Sequence, residues 1–361
     1  MRIVAVANQK GGCGKTTTSV ALAWTMAARG RRTLLVDLDP QAHSTLSLGV
    51  NPEALDLHVG DVLSSSVFDE EAPRLSQTLK PIRENLWLAP GGVELTALEH
   101  TLAGVMGREE RLSEHLSVLE TTIDEVIIDT PPALGLLTFN ALIAAAEAVV
   151  PVDCSPLSLQ GIGRLKETAR LIQQMTGHTV RLRPLVTLFD PRTRVSRETY
   201  ELLRAEFGAD TITAPIRYAV RLREKIGKGR IRSALTESSS AAEDYGALAS
   251  QLLEEEAAAP TPEHDHDVVP MLMKVEGGLA LSFAGRMPEE VLIAGDFNGW
   301  NPDAGVSIER DPEGHWRKIV TIGPGTYQYK FILRGQWVSD PRNPHVIQNT
   351  FGSSNSLISV E

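Results

Sequence analysis

Residues 3–17 read IVAVANQKGGCGKTT, an apolar run followed by a glycine-rich turn and a lysine that opens a helix. Glycines let the backbone turn tightly with successive N–H groups pointing inward, and the amino terminus of the following helix adds positive potential. This arrangement is typical of a loop that holds nucleotide phosphates. Lys15 is expected to reach the β- and γ-phosphates, Thr17 the α-phosphate, and the Thr16 hydroxyl is expected to ligate Mg²⁺. The predicted nucleotide-binding residues are Gly11, Gly12, Cys13, Gly14, Lys15, Thr16 and Thr17.

Four further apolar strands are predicted along the first 250 residues, at 33–37, 125–129, 148–153 and 185–189, with helices between them. Continuous apolar strands that alternate with helices favour a mostly parallel sheet covered on both faces. The predicted fold class is therefore α/β, a P-loop NTPase domain over residues 1–256. Its last helix is expected near 241–256.

Composition excludes several classes of protein. The formal net charge of −11 excludes a uniformly basic nucleic-acid binder, although it permits a local basic patch. The two cysteines, Cys13 and Cys154, match no disulfide framework or metal spacing and fit a reducing cytosol. No apolar run reaches the roughly 18–20 residues that a membrane span needs. We therefore expect a cytoplasmic protein with no membrane partner.

The loop contains an additional lysine, Lys10, and with it resembles the ParA/MinD family, whose deviant Walker A loop reads KGGxGKT. Residues 36–41 (VDLDPQ) and 127–132 (IIDTPP) are similar to other family motifs in the same order, and the resemblance covers residues 1–256. It implies an Mg²⁺-dependent ATPase that forms a homodimer with ATP, in which Lys10 crosses to the nucleotide of the partner. Asp39 would orient the attacking water, and Asp37 and Asp129 would hold the Mg²⁺ with Thr16. The predicted catalytic residues are Lys10, Lys15 and Asp39.

Relatives that carry an iron–sulfur cluster are excluded because they need paired cluster cysteines. MinD-type proteins end in a basic amphipathic helix, whereas the helix near 241–256 ends in three glutamates. Membrane targeting by that route is therefore not expected.

A basic stretch lies near the end of the ATPase domain. In relatives of the ParA type, basic residues in this region form a DNA-binding surface on the dimer, which would contact phosphates without reading sequence. The resemblance therefore implies non-specific DNA binding and association with the nucleoid; a solvated charged face is the alternative. The DNA-binding candidates are Arg217, Arg221, Arg223, Lys225, Lys228 and Arg230.

The composition changes after residue 256. Residues 257–270 (AAAPTPEHDHDVVP) have no apolar period and indicate a flexible linker. From 271 to 361, short alternating strands separated by turn residues predict an all-β, immunoglobulin-like sandwich.

This C-terminal stretch resembles the glycogen-binding domain of AMP-activated kinase β-subunits, a family 48 carbohydrate-binding module. Segments 290–301, 327–341 and 349–356 carry the resemblance. Indole rings stack on the apolar faces of sugars, so the resemblance implies that Trp300 and Trp337 stack on an α-glucan. Tryptophans of a sandwich core are the alternative. The predicted carbohydrate-binding residues are Trp300, Lys330, Trp337, Phe351, Ser353 and Asn355.

Together the two halves predict a positioning or partitioning ATPase that attaches to or senses α-glucan and responds to an unidentified activating partner. Two alternatives remain open. One is a DNA-partition ATPase whose sandwich only docks a protein, and the other is a regulatory ATPase that responds to glycogen.

Overall fold

The computed structural model of the chain forms two compact units, Met1–Glu255 and Glu256–Glu361. The described residues are 1–65, 72–105, 107–119, 122–155, 158–219, 222, 224–225, 231–235, 239–258, 271–275, 278–283, 291–310, 316–333, 336–340, 343, 345–349 and 354–360.

A seven-stranded sheet organises the first unit, in the order β3-β4-β2-β5-β1-β6-β7. All neighbours are parallel except β3 and β4, which pair antiparallel at one edge. The strands are β1 (Arg2–Val6), β2 (Thr33–Asp37), β3 (Lys80–Arg83), β4 (Leu86–Ala89), β5 (Glu125–Asp129), β6 (Glu147–Asp153) and β7 (Arg181–Thr187). The predicted α/β fold with a mostly parallel sheet is confirmed.

Helices pack on both faces of this sheet, because its central strands are apolar on both sides. They are α1 (Lys15–Ala28), α2 (His43–Ser47), α3 (Val59–Leu63), α4 (Leu75–Thr78), α5 (Glu94–Thr101), α6 (Arg111–Ser117), α7 (Leu136–Ala144), α8 (Ser158–Thr176), α9 (Arg194–Phe207), α10 (Ile231–Ala234) and α11 (Ser240–Ala258). No helix in the described ranges is both long enough and apolar enough to span a membrane.

Strand β7 begins and ends earlier than the prediction of 185–189. Its first three residues include Arg181 and Arg183, and a search for continuous apolar runs excludes charged residues of this kind from a buried strand. Arg183 is nevertheless fully buried, and its guanidinium pairs with Glu147 at 3.1 Å and Glu255 at 2.7 Å. Paired charges can occupy a buried strand, and so this strand extends four residues further toward the amino terminus than the sequence predicts.

The second unit is all-β and antiparallel. Its strands are β8 (Met271–Val275), β9 (Gly278–Phe283), β10 (Val291–Gly295), β11 (Val306–Arg310), β12 (Trp316–Thr321), β13 (Gly325–Leu333), β14 (Gln336–Val338), β15 (Val346–Gln348) and β16 (Ser354–Val360). One sheet has the order β10-β13-β16-β15 with β14 also paired to β13, and the other has the order β11-β12-β9-β8.

Side chains alternate across β13, as a half-buried strand requires. Tyr329 and Phe331 are fully buried and pack with Leu279 and Ile293 in the core. Gln328 and Lys330 therefore lie on the opposite face of the same sheet. Strands β8, β11, β14 and β15 were not predicted; each has only three to five residues, which gives little alternation to recognise.

Candidate functional site

The glycine-rich loop connects β1 to α1, as predicted. Gly12 and Gly14 adopt left-handed backbone angles, with φ of +75° and +95°, which a side chain would strain. Lys15 is buried at the first position of α1, and its Nζ donates to the carbonyl oxygen of Lys10 at 2.9 Å. The ammonium group therefore folds back onto the loop, where the phosphates of a nucleotide would need a positive charge.

The loop is fastened to its neighbours through Cys13. The Thr187 hydroxyl, at the end of β7, donates to the Cys13 carbonyl at 2.7 Å. The buried Cys13 thiol donates to the Lys10 carbonyl at 3.2 Å. Burial raises the pKa of this thiol, which keeps it a neutral donor. The side chain of Cys13 thus has a structural role, because its thiol contacts the backbone of the loop itself.

Two carboxylates lie next to each other where β2 and β5 end. Asp37 and Asp129 are directly opposite in the strand register, and both are fully buried. Thr45 donates to Asp37 Oδ2 from its hydroxyl at 2.7 Å and from its backbone N–H at 2.8 Å. Ser19 and Ser44 donate their hydroxyls to the two oxygens of Asp129, at 2.9 and 2.8 Å. These hydroxyls hold the carboxylates in fixed orientations beside the loop.

Burial raises the pKa of both carboxyl groups above the ordinary aspartate range. For Asp37 the negative charge of Asp129 adds to the effect of burial. For Asp129 hydrogen bonds from Ser44, Thr16 and Ser19 oppose it. Two buried carboxylates and a threonine hydroxyl are oxygen ligands of the kind that Mg²⁺ prefers, and a cation would relieve their repulsion.

Asp39 follows β2 and is also buried. Its Oδ1 accepts the backbone N–H of Gln41 at 2.9 Å, and its own N–H donates to Asp37 Oδ1 at 3.2 Å. The structure therefore places Asp39 and Asp37 in one connected turn at the carboxyl edge of the sheet. That edge is where ligands bind in open parallel sheets.

Lys10 is held within its own chain. Its Nζ lies 2.7 and 2.8 Å from the two oxygens of Asp153, at the end of β6, and 3.0 Å from the Ser158 hydroxyl. The Ser155 hydroxyl completes this set of acceptors. Sequence reasoning missed Asp153, although a carboxylate that ends a neighbouring parallel strand was a usable signal.

Only Arg217 and Lys225 of the DNA-binding candidates are among the described residues; Arg221, Arg223, Lys228 and Arg230 lie outside them. The Arg217 guanidinium is paired with Asp244 at 2.7 Å and Glu243 at 2.7 Å. The hydrogen bonds that the guanidinium donates to these carboxylates raise its pKa above the ordinary arginine value. Arg217 therefore links α11 to the segment after β7, whereas Lys225 is half-buried.

In the second unit the two predicted stacking residues are neighbours. The Trp300 and Trp337 rings have centroids 6.2 Å apart and are inclined by 37°. Trp337 is 46% exposed, so the pair is not part of the core. Of the other predicted carbohydrate-binding residues, Lys330 and Asn355 are mostly buried, while Phe351 and Ser353 lie outside the described residues. Burial lowers the pKa of Lys330.

Comparison with known proteins identifies both halves. Residues 1–182 match a family model described as an AAA domain. The chain is 35% identical over 252 residues to the sporulation initiation inhibitor protein Soj of Bacillus subtilis, which covers 70% of this chain and 98% of Soj. The chain belongs to the ParA/MinD family. It is also 34% identical over 254 residues to the chromosome partitioning protein ParA of Myxococcus xanthus, with 70% of this chain and 88% of that protein covered.

A solved structure of similar fold contains a bound nucleotide and a metal ion. Cobyrinic acid a,c-diamide synthase from Mycobacterium smegmatis, with bound ATP analog and magnesium, is 35% identical, with a TM-score of 0.62. The match covers 72% of this ParA/MinD chain and 96% of the synthase chain. ATP and Mg²⁺ are the two cofactors that the sequence predicts here. Residues 283–361 match the glycogen recognition site of AMP-activated protein kinase, so the predicted glycogen-binding module is confirmed as a family member.

Proposed function

We propose that this chain is an ATP-driven switch of the ParA type that binds DNA as a dimer and attaches to or senses α-glucan through its C-terminal unit. The observation that carries the proposal is the presence, in one chain, of a phosphate loop beside two buried carboxylates and of a pair of neighbouring indoles, one of them exposed, in a unit that matches a glycogen recognition family.

Different residues of the loop contact different parts of ATP. Lys15 moves its Nζ from the Lys10 carbonyl to the β- and γ-phosphates, and the amides of Gly11 to Thr17 surround them. Thr16, Asp37 and Asp129 would hold Mg²⁺, Asp129 most simply through water. Held there, the ion would supply positive charge to the phosphate oxygens.

Asp39 orients the attacking water; this assignment is supported by its position on the same turn as Asp37 and by the hydrogen bond that its carboxylate accepts from the Gln41 N–H. Lys10 adds positive charge to the nucleotide of the partner in an ATP dimer, in the manner of an arginine finger supplied in trans. Hydrolysis within one chain alone is therefore slow, and an activating partner protein raises it.

DNA binding is assigned to the segment from Arg217 to Arg230, through phosphate contacts. Because Arg217 is already paired with Asp244 and Glu243, its contribution is to support this surface, and the other five basic residues make the contacts. Such binding is strongly dependent on salt and independent of sequence.

The indole pair supports a glucan as the ligand of the second unit. Two rings inclined by 37° cannot both lie flat against a straight ribbon of sugar rings, but they can follow a curved chain such as an α-glucan. The exposed ring of Trp337 offers the apolar face that a sugar needs.

A protein-docking module is the second candidate. Strand β15 leaves Val346 51% and Ile347 42% exposed, and apolar side chains on a strand of this kind can pair with another protein.

Sedimentation of the full chain with insoluble amylose separates these functions. Wild type is expected to pellet with amylose, while a Trp300→Ala/Trp337→Ala variant of unchanged fold stays in solution. If wild type does not pellet, the glucan function is wrong and the docking function takes its place. A glycogen-responsive regulator would instead show an ATPase rate that changes with glycogen and not with DNA.

A further inference from the structure

A chain of hydrogen bonds links Trp300 to Asn355 through two residues, Asp296 and Gln328, that the predicted glucan site does not include. Asp296 lies in the turn that follows β10, and its Oδ1 accepts the Trp300 indole N–H at 3.1 Å. Its Oδ2 accepts the backbone N–H of Gln328, on β13, at 2.9 Å. One carboxylate therefore fixes the indole and ties its turn to the sheet.

The chain continues on the other side of Gln328. The Gln328 Oε1 accepts from the Asn355 amide at 2.9 Å, and Asn355 Oδ1 accepts from the Asn349 amide at 2.8 Å. Asn355 is only 4% exposed, so both ends of its amide are oriented before any ligand arrives. Gln328 is thus the residue at which the aromatic and polar parts of the site meet.

The backbone of Trp300 has an uncommon conformation that a hydrogen bond in the turn stabilises. Its φ is +61°, a left-handed angle that is uncommon for a bulky residue. A backbone hydrogen bond from its N–H to the Gly295 carbonyl at 2.9 Å holds the turn closed. Because the indole N–H is already satisfied by Asp296, a sugar would meet the face of the ring rather than its polar edge.

We propose that Asp296 and Gln328 are positioning residues of the glucan site, Asp296 acting through Trp300 and Gln328 through Asn355. This inference rests on the proposed glucan function of the second unit. An indole that is oriented in advance loses less rotamer freedom on binding, and the same holds for the amide. Neither residue needs to touch the sugar.

The test is a double-mutant cycle in the full chain, with soluble maltoheptaose as the probe and affinity measured by calorimetry. Asp296→Ala is expected to weaken binding about two- to tenfold, the effect of leaving one rotamer-rich side chain to be ordered on binding. A glucan is uncharged, so loss of the carboxylate charge has no direct effect on it. In a Trp300→Phe background, which keeps a stacking ring without the N–H donor, Asp296→Ala is expected to weaken binding by a smaller factor than in wild type, because only the hydrogen bond from the Gln328 N–H remains to be lost.

Gln328→Met, of similar size and without the amide acceptor, is expected to weaken binding by a similar factor in wild type and to have no effect in an Asn355→Ala background. Thr326→Ala is the matched control, because it removes the hydrogen bond between Thr326 and Ser359 on the same strand pair at 2.9 Å. It should leave affinity unchanged. Asp296→Asn keeps one acceptor oxygen and should restore part of the affinity.

The indole ¹⁵N–¹H signals give an independent readout. The Trp300 signal, assigned by its loss in Trp300→Phe, should move in Asp296→Ala and stay in place in Thr326→Ala. The positioning role is wrong, and the glucan function stands, if wild type binds and the Asp296→Ala variant binds with the same affinity. The same conclusion follows if Asp296→Ala reduces affinity by the same factor in the Trp300→Phe background as in wild type. If wild type does not bind any glucan, the glucan function fails and this inference fails with it.

Discussion

The ion pair between Lys10 and Asp153 gives a quantitative prediction about dimerisation. Lys10 contacts both oxygens of Asp153, and the two side chains are only 26% and 17% exposed. If Lys10 acts on the nucleotide of the partner, it must first leave this position. Replacing Asp153 by Asn removes the charge but keeps the shape, so it should make that step easier.

The magnitude follows from the geometry. A hydrogen bond to a charged group contributes about 1.5–3 kcal/mol when well shielded. Partial exposure and the remaining hydroxyls of Ser155 and Ser158 reduce the loss in Asp153→Asn to about 1 kcal/mol. A symmetric dimer releases two such lysines, so the gain is about 2 kcal/mol, or roughly 30-fold in the dimerisation constant.

Sedimentation velocity with Mg²⁺ and a non-hydrolysable ATP analogue measures this constant. Asp210→Asn is the matched control, because Asp210 pairs with Arg181 at the opposite edge of the sheet and the change in charge is the same. The gain should also disappear in a Lys10→Ala background. Dimerisation that is unchanged or weaker in Asp153→Asn would refute the reasoning that the pair restrains Lys10.

Three further predictions concern the catalytic carboxylates and DNA. Asp39→Ala should bind ATP and accumulate as an ATP dimer with little turnover; gel filtration that finds only monomer with ATP would contradict the role of Asp39. In buffer without Mg²⁺ or nucleotide, the free energy of unfolding should fall as pH rises from about 4 to neutral, because the raised pKa values of Asp37 and Asp129 make the native state bind protons that the unfolded chain releases. Asp129→Asn should flatten that slope in denaturant titrations at several pH values, and an unaltered slope would show that another group is responsible. Lys225→Ala should weaken binding to DNA of any sequence and reduce the slope of log affinity against log salt concentration by about 1. The slope is measured in titrations from about 50 to about 200 mM salt, and an unchanged slope would show that Lys225 does not contact DNA.

The phosphate loop was predictable because its information is local. Strand, turn and helix follow one another within fifteen residues, and the glycine spacing alone indicates what the backbone must do. The strand ends at Asp37 and Asp129 were predictable for the same reason, since each closes a continuous apolar run.

What the sequence did not predict depends on contacts between distant segments. Asp153 meets Lys10 across 143 positions, and Ser19 meets Asp129 across 110. No local pattern marks Thr187 as the residue that fastens the loop. The register of the parallel sheet brings these residues together, and that register is fixed only when the whole core packs.

In the second unit, too, some site residues were predictable from the sequence and others were not. Trp300 and Trp337 were predicted as partners from a family resemblance, and the structure brings their rings together. Asp296 and Gln328 were not singled out, because an aspartate in a turn and a glutamine on a strand are ordinary surface residues until their hydrogen bonds are known.

The central claim is that one chain binds DNA in an ATP-dependent manner and also binds α-glucan. Retention of fluorescent glycogen on DNA-coated beads tests it most directly. With wild type, Mg²⁺ and ATP the beads should retain glycogen, and with ADP, Lys15→Ala or the Trp300→Ala/Trp337→Ala variant they should not. Beads that carry the wild-type protein with ATP but retain no more glycogen than the tryptophan variant would contradict the claim.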